Sequence, residues 1–308
     1  MLPKKRKMKR DVIVMLTKKQ FDVLTYLEKS GRQETQRNLS KKLGISTGMI
    51  NKILAELNEL KYSKDGVITE KGLSALEPYR VQRAVIFAAG FGSRMVPVTL
   101  NTPKPLIRVK GQRIIDGLLD ALTEAGIDEI YIVRGYLSEQ FDQLLYKYPN
   151  LKFIENPMYN EANNISSAMC ARYQLANSYV CEADLLLYNH GIITKYQYQS
   201  NYLGVPVEMT NDWCFKTKGG FISEMAVGGV NCFHMYGISY WTAQDGARLS
   251  GHIEQVYNSP GGHERFWDQV AFDYHPNDYK VAVRECTFDD IIEIDTYGEL
   301  KKLDKTYI

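Results

Sequence analysis

At Ala84 the chain enters Ala-Val-Ile-Phe-Ala and passes directly into Ala89-Gly90-Phe91-Gly92-Ser93-Arg94. A short unbroken apolar run fits a strand buried on both faces, and such strands belong to sheets covered by helices. Beyond the glycine turn the chain keeps that rhythm. Ile115–Ala125 has helical periodicity and stops at Gly126, Glu129–Val133 is strand-like, and Gln140–Tyr146 has a helical pattern. Leu151–Ile154 and Ser178–Ala183 are extended again. Strands spaced by helices in this way predict right-handed βαβ units in an α/β, Rossmann-like, mostly parallel mixed sheet. Ligands then collect at the carboxyl ends of the strands, where the glycine turn lies. The turn is followed by no Gly-Lys-Ser/Thr, so it is not a Walker loop, and Gly-x-Gly-x-x-Gly is incomplete.

The first 80 residues read differently. Leu2–Arg10 is a basic arm, and residues 1–16 are expected to precede the folded part. Thr17, Thr35 and Ser46 each stand where they can N-cap an amphipathic helix. The first helix buries Phe21, Val23, Leu24 and Leu27 and ends near Gly31; the second carries Leu39 and Leu43 and closes at Gly44. The third places Met49, Ile50, Ile53, Leu54, Leu57 and Leu60 at helical spacing. Asp65-Gly66 suits a tight hairpin turn, and Thr69 begins a last helix. Residues 17–78 thereby resemble a small winged helix-turn-helix domain. The resemblance implies DNA contact through Thr47, Asn51 and Lys52, with Lys41, Lys42 and Lys64 near phosphates. The alternative is a domain that packs on its neighbour or on a twin subunit and never meets DNA; a homodimer is compatible with the sequence.

Charge supports a division into two modules. The net charge of +2 hides 18 Lys+Arg against 9 Asp+Glu up to Arg80, and 20 against 27 thereafter. No run approaches the roughly 20 apolar residues that cross a bilayer, so no membrane partner is expected. Cys170, Cys181, Cys214, Cys232 and Cys286 show no C-x-x-C spacing, which argues against a disulfide framework or a cysteine-rich zinc site and points to a reduced, cytoplasmic protein.

The glycine turn lets backbone N–H groups approach a phosphate without an intervening Cβ. Arg94 adds a planar donor fork, and Lys104, within Pro103-Lys104-Pro105, adds a point charge. The stretch "AAGFGSRMVPVTLNTPKPLIRV", with "GIDEIYIVRGYLSEQF", "ENPMYNEANNISSA", "NSYVCEADLLLYN" and "IIEIDTYGELKKLD", resembles the nucleotidyltransferases that make NDP-sugars and CDP-alcohols. The likeness spans about Arg83 to Asp304, and a nucleotidyltransferase domain is expected over residues 83–308. Within that group it is most similar to bacterial choline-phosphate cytidylyltransferases.

The resemblance implies that Ala88, Ala89, Gly90, Phe91, Gly92 and Ser93 hold the nucleotide, that Arg94 and Lys104 are catalytic, and that Asp184 and Asp295 hold Mg²⁺. Two carboxylates suit that hard cation, which keeps waters and phosphate oxygens as its other ligands; Glu182 is a third carboxylate candidate. Gly135, Tyr136, Asn163, Asn164 and Ser166 would face the base, with loop and helix capping as the alternative for Asn164 and Ser166. The acceptor pocket is expected from Trp213, Tyr240, Trp241, Trp267 and Glu293, with Phe266 and Asp268 nearby. A quaternary ammonium cannot donate N–H bonds and is held by ring faces, although core packing is the competing role for any one of these rings.

The expected reaction joins CTP and phosphocholine and releases pyrophosphate. Glu-Ala-Asp replaces the Gly-Asp of the sugar-nucleotide branch, and no later Glu-Lys-Pro is present, which counts against a hexose-1-phosphate. Another sugar-1-phosphate or an aminoalkyl phosphonate is the alternative acceptor. A transcription regulator with a nucleotide-sensing domain is the alternative class.

Overall fold

The computed structural model describes residues 15–307. The basic stretch Leu2–Arg10 lies outside them. The chain divides into two compact units, one ending at Arg80 and one beginning at Val81.

In the first unit, helices α1 (Lys18–Ser30), α2 (Gln36–Leu43) and α3 (Thr47–Glu59) begin at Thr17, Thr35 and Ser46. Each hydroxyl accepts from the backbone N–H three residues on, satisfying a donor that the first turn leaves open. Strands β1 (Ser63–Lys64) and β2 (Val67–Ile68) form an antiparallel hairpin across Asp65-Gly66, both with positive φ, as a tight two-residue turn requires. Helix α4 (Glu70–Leu76) comes next, capped by Thr69. Leu16 departs from the expected arm: it is 2% exposed and its N–H donates to the Tyr79 hydroxyl, so apolar burial draws it into the folded unit.

The second unit opens with β3 (Arg83–Phe87), the small hairpin β4 (Arg108–Val109) and β5 (Gln112–Arg113), α5 (Asp116–Glu124), β6 (Glu129–Arg134) and β7 (Lys152–Glu155). Next come α6 (Ile165–Cys170), β8 (Ser178–Glu182) and β9 (Leu185–Leu187). Two long strands, β10 (Asn201–Lys218) and β11 (Phe221–Trp241), lead to α7 (Ala243–Tyr257), β12 (Ala282–Glu285), β13 (Ile291–Glu293) and α8 (Tyr297–Leu303). One seven-stranded sheet runs in the order β10-β12-β11-β8-β3-β6-β7. Its β8-β3-β6-β7 portion is parallel, and β11 joins β8 antiparallel. The chain leaves β3 toward β6 on one side and returns to β8 on the other, so the switch in strand order falls at the carboxyl end of β3.

Two departures from the sequence reading matter. Ser138–Tyr146 is a run of 3₁₀ turns, not an α-helix. The sequence pattern does not predict the long β10–β11 hairpin, because its bulges and mixed exposure break the strict alternation that marks a half-buried strand. No described helix is long and apolar enough to cross a membrane.

Candidate active site

The carboxyl end of β3 empties into the glycine loop, and Ala88 N–H still donates to Val133 O, tying the loop's start to β6. Gly92 has φ +63°, and a Cβ there would stand 3.0 Å from Thr99 Cγ2 and 3.1 Å from Lys104 Cβ. Glycine is therefore required twice, for the left-handed backbone and for the close approach of Lys104. The Thr99 hydroxyl donates to Gly92 O and fixes the turn.

Lys104 is 9% exposed. Its Nζ donates to Asp184 Oδ2 at 2.8 Å and to Asp295 Oδ1 at 2.9 Å, and Arg94 donates to the same Asp295 oxygen at 2.8 Å. Burial alone would pull the lysine's proton affinity down; the charges and hydrogen bonds of Asp184 and Asp295 outweigh it and hold the ammonium above its ordinary range. Asp184 and Asp295 thus converge on one cation beside the loop.

The two aspartates lie far apart in sequence, and a two-stranded pairing joins them. β13 pairs with β9 so that Glu293 faces Leu185, and Ile294 N–H donates to Asp184 O. The pairing also crowds Glu182, Asp184 and Glu293, whose carboxylate oxygens lie within 4.8 Å of one another. Burial first, then the neighbouring Asp184 and Glu182 charges, push the Glu293 carboxyl up to about 10. Burial and the charges of Asp184 and Asp268 raise Glu182 well above the usual carboxylate range. Asp184 Oδ1 is buried with no hydrogen-bond partner among the described residues. Crowded carboxylates with an open acceptor fit a cation.

A cleft of about 370 Å³, within the size range of small-molecule sites, is lined by this constellation. Ala88, Ala89, Gly90, Gly92, Ser93, Arg94, Lys104 and Pro105 form one wall; Glu182, Ala183, Asp184 and Asp295 form another. Asn163, Asn164 and Ser166 also line it, but their polar groups are largely engaged inside the protein. Asn163 Oδ1 accepts from Asn164 N–H, Asn164 Oδ1 accepts from Trp267 N–H, and Ser166 Oγ donates to Asn163 O. Asn164 stands at the start of α6 without a side-chain cap.

Phe91, Gly135 and Tyr136 do not line the cleft directly. The Tyr136 hydroxyl donates to Thr99 O and Leu100 O, and Phe91 packs between Tyr136 and Tyr159, with ring centroids 5.0 and 5.3 Å away. A Cβ on Gly135 would lie 2.6 Å from the Tyr159 side chain, so this glycine seats Tyr159 at the cleft. Tyr159, with buried Asn156, is a lining residue the sequence reading missed. The signal was present in "ENPMYNEANNISSA", where an aromatic residue leads into the asparagines.

The aromatic acceptor pocket is corrected. Tyr240 is 3% exposed, pairs with Tyr179 toward the amino end of β8 and donates to Asn177 Oδ1, at the other end of that strand from Glu182. Trp241 is fully buried in the core against Trp267 and Tyr279. Trp267 is also core, edge-on to Phe87. Trp213, half-buried on β10, meets Phe266 edge-on at 5.6 Å and is not part of the lining. Core packing wins for large rings in mid-sheet because each removes so much apolar area from water. Of the acceptor set, Glu293 alone joins the carboxylates of the site, beside Glu182 and Asp184, although it does not itself line the cleft.

The family model for nucleotidyl transferases matches residues 83–201. A 2-aminoethylphosphonate cytidylyltransferase from Lancefieldella rimae is 37% identical over 229 residues, covering 73% of this chain and 93% of that protein. A choline-phosphate cytidylyltransferase from Streptococcus pneumoniae is 32% identical over 72% of this chain and 97% of its own length. The solved structure of the CTP:phosphocholine cytidylyltransferase from Streptococcus pneumoniae superposes with a TM-score of 0.68 at 32% identity, covering 74% of this chain and all of that one. With a glycine loop, a buried lysine and paired aspartates at the switch point of its sheet, the chain is a transferase enzyme that belongs to the nucleotidyl transferase family, among its cytidylyltransferases.

Proposed function

We propose that the cleft transfers CMP from CTP to a small acceptor with a phosphoryl or phosphonyl group at one end and an amine cation at the other, and that 2-aminoethylphosphonate is preferred to phosphocholine. The observation that carries the reading is the buried Lys104 ammonium, held between Asp184 and Asp295 beside the glycine loop. An acceptor oxygen attacks the α-phosphorus of CTP in line; the new P–O bond forms as the α–β bridge breaks, and the electron pair leaves with pyrophosphate. The acceptor is already anionic near neutral pH, so no general base is needed, and catalysis reduces to positioning and charge neutralisation.

In this reading the loop amides and Arg94 receive the β- and γ-phosphates, while Lys104 draws the α-phosphate and the acceptor phosphate together. Asp184 and Asp295 would hold Mg²⁺, which when bound would neutralise charge on the phosphates. Glu182 and Glu293, held protonated by burial in the ligand-free site, are the remaining acceptors for an ammonium, whose positive charge would favour their ionised forms. A primary ammonium donates N–H bonds to carboxylates, whereas a trimethylammonium group needs ring faces. Removing Tyr240, Trp241 and Trp267 from the pocket weakens the case for the second. Phosphocholine stays the second reading on the strength of the Streptococcus pneumoniae relative and of the Trp213–Phe266 pair.

The test is pyrophosphate release from each nucleoside triphosphate paired with 2-aminoethylphosphonate, phosphoethanolamine, phosphocholine and a sugar-1-phosphate. CTP with 2-aminoethylphosphonate should give the highest kcat/KM. Preference for phosphocholine would reverse the order of acceptors, and preference for a sugar-1-phosphate would remove the amine from the reading.

A further inference from the structure

The first unit contains a feature that the transfer reaction does not use. α2 and α3 are joined by Gly44-Ile45-Ser46, with Gly44 left-handed at φ +65°. Leu39 and Ile50, both fully buried, lie on these two helices, and the Thr47 hydroxyl donates to Ser40 Oγ across the turn. Two short helices linked by a three-residue glycine-containing turn, with a β-hairpin after them, is a geometry that presents the second helix to a duplex groove.

Charge is segregated on that element. Residues 35–55 carry Arg37, Lys41, Lys42 and Lys52 and no aspartate or glutamate, whereas residues 15–34 and 56–80 together carry eight basic and eight acidic residues. All four basic side chains are exposed, and none pairs with a carboxylate among the described residues. Thr47, Gly48, Asn51, Lys52 and Ala55 form the exposed side of α3, opposite Ile50, Ile53, Leu54 and Leu57 in the core. A groove-facing helix needs this combination. Small residues let the backbone approach, an amide can both donate to and accept from a base edge, and lysines on the flanking helix meet phosphates. A surface that merely kept the unit soluble would have no reason to exclude acidic residues from 21 consecutive positions while the rest of the unit balances them.

We propose that α2 and α3 form a double-stranded DNA-binding surface, with α3 entering the major groove and Arg37, Lys41 and Lys42 on the backbone phosphates. The proposal is independent of the acceptor and of the transfer chemistry. The full chain would be titrated into a fluorescent random-sequence DNA duplex and monitored by anisotropy, with an RNA duplex of the same sequence as competitor. Three phosphate contacts should weaken binding roughly 40-fold between about 50 and 200 mM salt. Combined Arg37→Ala, Lys41→Ala, Lys42→Ala and Lys52→Ala should lower affinity at least about tenfold and flatten the salt slope. Asn51→Ala should instead leave random-sequence binding intact and reduce enrichment of particular sequences from a random pool. Combined Lys19→Ala, Lys29→Ala and Lys71→Ala, which lie off this surface, should change little. Unchanged helical circular dichroism and unchanged cytidylyl transfer would show that each variant is folded. Equal loss in the off-surface variant, unchanged affinity in the four-fold variant, or tighter binding to the RNA duplex would each overturn the proposal.

Discussion

Along the nucleotide wall of the cleft, from Ala88 to Pro105, every lining residue comes from one uninterrupted loop, whereas Glu182, Asp184 and Asp295 line the other wall from two segments far apart in the chain, with Glu293 within 4.8 Å of the first two. The first wall is set by local backbone: a left-handed glycine, a threonine bond to that glycine's carbonyl, and a lysine packed under it. The second is set by the short pairing of β9 with β13, which brings carboxylates together; burial first, and then their mutual charge, raises the proton affinity of Glu182 and Glu293. One wall is complete without a ligand, while the other gains most from an incoming cation. Lys104 belongs to both, since it grows from the loop and neutralises the carboxylates.

Replacing the shared residue should have the largest effect. Lys104→Ala should leave a folded protein and lower kcat/KM at least about 100-fold, the scale of losing one preorganised charge donor. It should also leave Asp184 and Asp295 with Arg94, on Asp295, as their remaining counter-charge. Steady-state pyrophosphate release with a thermal melt checks both points, and near-normal turnover would remove Lys104 from the chemistry.

Gly92→Ala tests whether the loop wall is set by backbone alone. The variant keeps every charged group, yet its Cβ would press on Thr99 and Lys104 at a φ that alanine adopts at a cost of about 1–2 kcal/mol. A displaced lysine should lower kcat by roughly 10- to 100-fold, since misplacement of about 1 Å can cost that much. Full activity in a protein of lowered Tm would show that Lys104 is not positioned through Gly92.

Glu293→Gln tests the carboxylate wall. The KM for an aminoalkyl acceptor should rise about tenfold, the scale of one hydrogen bond to a charged group, with the KM for CTP little changed. The variant also carries a pH signature. Glu293 is held protonated up to about 10 in the folded protein but ionises in the ordinary carboxylate range once unfolded. A raised folded value contributes stability at low pH that is lost as pH rises toward that value. Ligand-free stability should therefore decline through neutral pH, and Glu293→Gln should flatten the decline. An equal rise in both KM values would place Glu293 in general support of the site and not in acceptor selection.

The same contrast explains what could be read from the sequence. The strand, the glycine loop and the alternation after it depend on short-range periodicity and on residue types with strong backbone preferences, so the residues alone place Ala88–Ser93 and Lys104 at a strand's carboxyl end. The N-terminal helices are legible for the same reason, each beginning at a hydroxyl that caps it. The far wall is legible only in part. Asp184 comes after a clear strand, but nothing local to Glu293 says that β13 pairs with β9. The aromatic residues of β10 and β11 carry no signal to separate core from pocket, because burial depends on the partner strand and on its bulges.

The smallest effect should come from Tyr240→Phe, at a position whose ring the sequence assigns to the acceptor and the structure assigns to the core. That ring lies 5.9 Å from the ring of Tyr179, and its hydroxyl donates to Asn177 at 2.8 Å. The change keeps the ring and deletes that bond, so the loss should be about 0.5–1.5 kcal/mol of stability. Because Tyr240 pairs toward the amino end of β8, away from Glu182, the acceptor KM should stay at its original value. Urea unfolding and acceptor titration on the same preparation separate the two effects. A raised acceptor KM without loss of stability would return Tyr240 to the pocket and erase the distinction between a wall of carboxylates and a core of rings.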